Sequence, residues 1–307
     1  MRKTNHFLLL FMALAATLLL FSACGSSTGS GNSSKNKVST LQVLQNSQKA
    51  MSKLKSAHVA LQMKGAGQQT GSTTTPGNIT FSLSGSGDEA LPNQEKMQLT
   101  TTQSVTNTTS NLNEIYANNT LYVQNNGGQW YALNDSSVGN AGNLFAGFGA
   151  LSMTQLLDLL AHTQITDHGD QSLNGVTLRH ITMQLDKYAL EQLLDSNKQL
   201  VNLLGQQNIN TTIDHAQSLN ATLDLWIDET QFYVHRSELK LNIKANTASL
   251  KQSITPTPGS TVQGAIPASV ITNLDSIVDL SNFNEPVSIT PPTNATPIAI
   301  PTITATP

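Results

Sequence analysis

The chain has 307 residues, of which 38% are hydrophobic and only 11% charged, with a net charge of −3. Average proteins carry roughly 25% charged residues, so Asn, Gln, Ser and Thr must supply the surface here, and there is no basic footprint for nucleic acid or an acidic membrane surface. A single cysteine, Cys24, excludes an intrachain disulfide and leaves burial to hold the fold.

The chain opens with positive charge at Met1-Arg2-Lys3, an almost unbroken apolar run over 7–21, and small residues ending at Ser22-Ala23-Cys24. A charged start, a short apolar core and a small-residue cut site define a secretory signal. The run is about fifteen residues long, short of the roughly 20 that a membrane-spanning helix needs. Ser22-Ala23-Cys24 resembles the lipobox of bacterial lipoproteins, with Phe21 where that motif prefers Leu. The resemblance implies a signal over 1–23, a lipid on Cys24, and a domain held outside the cytoplasmic membrane by that lipid. The alternative is a plain signal cut elsewhere. Residues 24–37 then form a small, polar, flexible tether.

Ser39 or Thr40 caps a helix running to about Ser56, with Leu41, Leu44, Met51 and Leu54 as its apolar stripe. β-rich segments follow over 58–65, 78–85 (Ile79, Phe81 and Leu83 on one face) and 95–105. Hairpins are expected over 114–117, 120–124 and 129–133, because Asn118-Asn119 and the Asn and Gly of 125–128 tolerate positive φ. A Gly-rich loop over 135–150 carries Leu144, Phe145 and Phe148. Ser152 caps a leucine-rich helix over 153–161, and 173–185 reads as a strand. Asp186 caps a helix over 187–204 with a stripe of Leu190, Leu193, Leu194, Val201 and Leu204, closed by Gly205. Strands over 221–228 and 231–243 pair across Glu229-Thr230. A Pro/Thr/Gly-rich loop spans 253–267, and a last strand lies near 286–290. The Thr/Pro tail, disordered over 293–307, buries too little to fold. Hairpin strands with helices added on one face give the α+β class, a curved antiparallel sheet covered by a few α-helices.

No catalytic or metal constellation emerges. The histidines beyond the signal are His58, His162, His168, His180, His215 and His235, and none has a zinc-ligand spacing. His162 and His168, near Asp167 and Asp170, read as solvated loop residues, and His180 as a half-buried strand residue. Nucleophile elbows, phosphate loops and calcium loops are missing. Asp224 and Asp228, four apart on one strand, are ~13 Å distant, too far for a retaining carboxylate pair. They and Trp226 read as the solvent side of a strand whose Leu223, Leu225 and Ile227 point inward. The reading is a non-enzyme without a cofactor.

Four stretches in order carry a family resemblance: KLKSAHVAL at 53–61, NTLYVQNNGGQWYAL at 119–133, LDLWIDETQFYV at 223–234 and FNEPVSITPP at 283–292. Behind a lipobox, this order resembles the LppX/LprG-type lipoproteins of mycobacteria and, more distantly, the LolA/LolB lipoprotein carriers, over residues 38–292. The resemblance implies a half-barrel wrapped around helices, with an apolar cavity that takes acyl chains. Leu156, Leu160, Ile181, Met183, Leu190, Leu194, Leu225 and Ile227 are then the lining candidates, with Phe145 and Phe148 at the mouth. The chain departs from the glycolipid carriers in its long polar inserts, its Pro/Thr tail and its poverty in charge. Two readings follow: a tethered protein that carries or presents a lipid, and a ligand-free module that senses or adheres to a protein partner in the envelope.

Overall fold

A computed structural model describes residues 38–69, 78–104, 107–133, 152–196, 213–214, 216–245 and 269–298. Residues from Ser39 onward form one compact unit. It begins with helix α1 (Thr40–Met51), then β1 (Ser56–Gln69), β2 (Asn78–Ala90), β3 (Gln94–Gln103), β4 (Thr108–Ala117), β5 (Thr120–Asn125) and β6 (Trp130–Leu133). Helix α2 (Met153–Ala161) leads to β7 (Thr163–Leu173) and β8 (Val176–Leu185), and α3 (Lys187–Ser196) follows. The chain finishes with β9 (Ala216–Ile227), β10 (Val234–Ala245), β11 (Ser269–Ser281) and β12 (Thr296–Ile298).

All twelve strands share one open sheet, in the order β12-β6-β5-β4-β3-β2-β1-β11-β10-β9-β8-β7. Two meanders, β1 to β6 and β7 to β11, meet where β1 pairs antiparallel with β11, Leu61 opposite Val278. Only β12 on β6 is parallel among these pairings. The class is α+β: a large, mostly antiparallel sheet curved around helices.

The period-2 pattern of each strand fixes its faces. Val59, Leu61 and Met63 of β1 are buried, as are Ile181, Met183 and Leu185 of β8 and Leu223, Leu225 and Ile227 of β9. We call this face the inner one. Each such side chain contributes about 1.5–3 kcal/mol on full burial. Two glycines allow close approach there. The Phe81 ring occupies the space a side chain at Gly65 would need, and Gly87 lies against the Lys96 carbonyl of β3.

Helix starts follow the capping residues. Ser39 Oγ accepts from the Gln42 amide. Ser152 forms a full capping box with Gln155. The Asp186 carboxylate accepts from the Ala189 amide at 2.8 Å. Other expectations need correction. Helix α1 stops at Met51 rather than near Ser56, and Leu41 stands 47% exposed while Val43 takes its place in the buried stripe. The stretch expected as a loop around His162 and His168 is a helix end followed by a strand: His162 caps the C-terminus of α2, and His168 lies in β7, which pairs with β8 through a turn at Asn174-Gly175. Strand β11 was not foreseen. Residues 286–290 form no strand; instead Val287 and Ile289 pack on Ile115 and Ala117 of β4, beside Tyr122 and Trp130. Thr296–Ile298, expected to stay out of the fold, pairs with β6. Cys24, the tether, the 135–150 loop, Val201 and Leu204 lie outside the described residues. No helix among the described residues is long and apolar enough to cross a membrane.

Candidate functional site

The inner face of β8 and β9 and the two short helices α2 and α3 converge on one apolar layer. Strand register sets Ile181 opposite Leu225, and Met183 opposite Leu223. Helix α2 touches β7 and α3, and α3 touches β8. The layer brings together Leu156, Ile181, Met183, Leu190, Leu194, Leu225 and Ile227, all with 0% exposure, and Leu160 at its partly exposed edge. Phe145 and Phe148 lie outside the described residues. Helix–sheet contact is concentrated on β7 and β8, whereas the apolar inner face continues through Val59, Leu61 and Met63 to Leu83 of β2 and Met97 of β3.

Polar ties hold the helices in place. Tyr188 donates to Asp158 at 3.1 Å, and Gln192 donates to the same carboxylate, linking α3 to α2. His162 lies 3.1 Å from Asp186 and 4.4 Å, ring to ring, from Tyr188. The start of α1 is tied to the sheet by Thr40, whose hydroxyl donates to Asp167. Arg179, 7% exposed, donates to Asp167 and, at 2.8 Å, to Glu229. Burial alone would raise the Asp167 carboxyl, but hydrogen bonds from Arg179, Thr40 and the Gly169 amide hold it well below the usual carboxylate range.

Three carboxylates were missed by sequence reasoning. Glu89 of β2 lies opposite Glu95 of β3, and Glu114 of β4 lies opposite Met97, all on the inner face. Glu89 and Glu95 are 1% and 2% exposed. The signal was available: Glu95 shares strand parity with Met97, so an inward Met97 forces an inward Glu95.

Over β8–β10 the opposite face is polar, whereas over β4–β6 it carries the apolar cluster that Val287 and Ile289 cover. His180 stacks between His168 at 4.4 Å and Trp226 at 4.3 Å, and its Nε2 lies 3.0 Å from Asp224. The Arg236 guanidinium, paired to Asp279, sits 6.0 Å from the Trp226 ring centre. Farther along this face a cavity of about 810 Å³ opens over two adjacent rows of the sheet, one of them Thr102, Ser82, Lys64, Asp275, Lys240 and Thr222. Among the described residues no group of three His, Cys, Asp or Glu is placed to hold a metal ion. Asp167 turns to Arg179, His162 to Asp186, and His168 to His180 and Thr182.

No family model matches the sequence, and no curated protein matches it. Solved structures do. The lipoprotein LppX of Mycobacterium tuberculosis is 16% identical, with a TM-score of 0.41, over 82% of this chain and 100% of that one. LprF from Mycobacterium bovis is 18% identical, with a TM-score of 0.40, over 82% and 95%. A LolA-superfamily protein from Nitrosomonas europaea is 10% identical, with a TM-score of 0.22, over 80% and 93%. Among solved structures this chain is thus similar to LppX, LprF and LolA-superfamily proteins, and at such identities the likeness concerns the fold, not a ligand.

Proposed function

We propose that this chain is an extracytoplasmic lipoprotein, tethered to its membrane through a lipid on Cys24, that binds an acyl-chain ligand between the inner sheet face and the helices. One observation supports it above others: apolar side chains of the inner face continue from β8 and β9 through β1 to Leu83 of β2 and Met97 of β3, while the most extensive helix contacts on the sheet are those of α2 with β7 and of α3 with β8. Leu156, Leu160, Ile181, Met183, Leu190, Leu194, Leu225 and Ile227 are the proposed lining, exposed to a ligand when α2 and α3 lift. An acyl chain laid there is held by apolar burial at about 25 cal/mol per Å², which needs no directional chemistry. That matches a sequence without a catalytic motif. The ligand-free module is the second reading, and the full burial of seven of these side chains favours it, since a filled core leaves no room.

Native mass spectrometry and organic extraction on the polypeptide Ser39–Pro307 separate the two. A stoichiometric, extractable lipid supports the carrier. In that case Ile181→Trp and Leu190→Trp expel the ligand while the domain stays folded. A clean mass that takes up neither added phospholipid nor fatty acid removes the carrier reading and directs attention to a protein partner.

A further inference from the structure

The inner face holds three carboxyl groups where burial favours apolar side chains. Glu89 and Glu95 face each other directly across β2 and β3, and Glu114 is the diagonal neighbour of Glu95 on β4. Glu89 Oε1 and Glu95 Oε2 are buried without a hydrogen-bond partner. Buried polar atoms are nearly always satisfied, and an unmade hydrogen bond at an inward-facing carboxyl is an acceptor position kept open.

The strand neighbours described offer these acceptors no cation. From β1 the facing residues are Ala57 and Val59, and from β5 they are Leu121 and Val123. Tyr116, opposite Glu95, and Tyr131, beyond Val123 in the row of Glu114, are the other titratable groups that the described strands place on this part of the inner face. Lys96 and Asp88 project from the opposite face, by strand parity. Arg179 is engaged by Asp167 and Glu229, and Arg236 by Asp279. Nor do the three carboxyls form a metal-ligand set.

We infer that Glu89, Glu95 and Glu114 form an acceptor site for a primary ammonium group at the end of an apolar chain, an inference that rests on the inner face taking such a chain. A primary ammonium brings one positive charge and three N–H donors. A hydroxyl lacks the charge, and a quaternary ammonium lacks the donors. Burial, with the neighbouring Glu114 charge added, pushes the Glu95 carboxyl up to about 8, and burial also raises Glu89 and Glu114. In the empty site Glu95 is therefore protonated near neutrality. An arriving ammonium stabilises one ionised carboxylate, so one proton leaves as the ligand binds, and affinity rises with pH until Glu95 is ionised without help.

The test is calorimetric titration of Ser39–Pro307, which carries the whole described sheet, with dodecylamine, dodecanol and dodecyltrimethylammonium. At pH 8 the amine should bind at least about tenfold more tightly than either other probe. Between pH 6 and 8 its affinity should rise toward about tenfold per unit, the limit for release of one proton, and two buffers of different ionisation enthalpy count that proton. Glu95→Gln, a neutral isostere, should keep dodecanol affinity while losing the proton release and the amine preference; Glu114→Gln gives the same test if the first variant melts early. Equal affinity for amine and alcohol, or an amine preference unchanged in both variants, overturns the ammonium site and leaves the acyl-chain reading standing. Binding of none of the three probes overturns both.

Discussion

The guanidinium of Arg179 grips the carboxylate of Asp167 across the β7–β8 ladder, its Nε 2.7 Å from Oδ1, and Asp167 in turn accepts a hydrogen bond from the Thr40 hydroxyl at the start of α1. One charge pair thus joins an edge strand, its neighbour and the first helix. Arg179→Leu strips Asp167 and Glu229 of their donor, and should cost about 2–3 kcal/mol by urea unfolding at pH 7, because both partners keep some water. Since Asp167 is held below its ordinary range, its contribution is present above pH ~4 and fades as pH falls below that value. The gap between variant and wild type should therefore narrow in acid. A constant gap from pH 7 to pH 3 would contradict this account.

Glu95 behaves in the opposite sense. Its carboxyl is raised from 4.5 to about 8, so the folded state keeps a proton that the unfolded chain releases. Stability from this group is complete below the unfolded value and is lost as pH rises from ~4.5 to about 8. Glu95→Gln should therefore raise stability at pH 7 by about 3 kcal/mol and change it little at pH 4. Chemical denaturation at the two pH values checks it. A variant that is less stable at both would show that the ionised carboxylate is held by a favourable partner.

Helix α2 has only nine residues and depends on its start. Ser152→Ala removes the acceptor for the Gln155 amide and half of the capping box, at a cost of about 1 kcal/mol. Hydrogen exchange should speed up in α2 before it does in the central strands. Uniform acceleration throughout the sheet would mean that α2 is not an independently loosening element.

Gly87 on the inner face of β2 faces the backbone of β3. A methyl group there meets the Lys96 carbonyl and the Met97 sulfur, so Gly87→Ala should cost at least about 2 kcal/mol. Its thermal midpoint, compared with that of Gly127→Ala in an open turn, separates crowding from backbone conformation, because no atom within 4 Å crowds Gly127 although its φ is +70°. Equal losses would mean that the two strands part easily at Gly87.

Local signals account for much of what was legible. Ser39, Ser152 and Asp186 start helices because each offers an oxygen to an orphan amide, and Asn118 and Asn119 turn a hairpin with φ of 53° and 59°. Strand β11 was hidden because its apolar positions, Val270, Ile271, Leu274, Ile277 and Val278, follow helical spacing as well as strand spacing. Only pairing with β1 and β10 settles which of them face inward. Strand β7 was hidden for another reason: an edge strand with Gly169 at a register shift has little need of apolar residues, and its TQITDHGDQSL reads as a loop. The lining candidates on β8, β9, α2 and α3 were legible as inward-facing residues from parity and helical stripe alone. Whether they meet a ligand is beyond any pattern of side chains, since a filled core and a lined gap have the same period. The Glu trio was not legible because charged side chains are almost never fully buried unless paired, and here strand parity alone turns them inward.

The pairing of β1 with β11 also bears on how the chain acquires its fold. These two strands lie at the centre of the sheet and yet near opposite ends of the sequence, with both meanders hung from their shared ladder. Each meander can zip locally, since its strands are sequence neighbours, but the seam must wait for the last long strand. A chain released N-terminus first therefore keeps β1 without its partner until Ser269–Ser281 has emerged, some two hundred residues later, while the strands between can already pair with their neighbours.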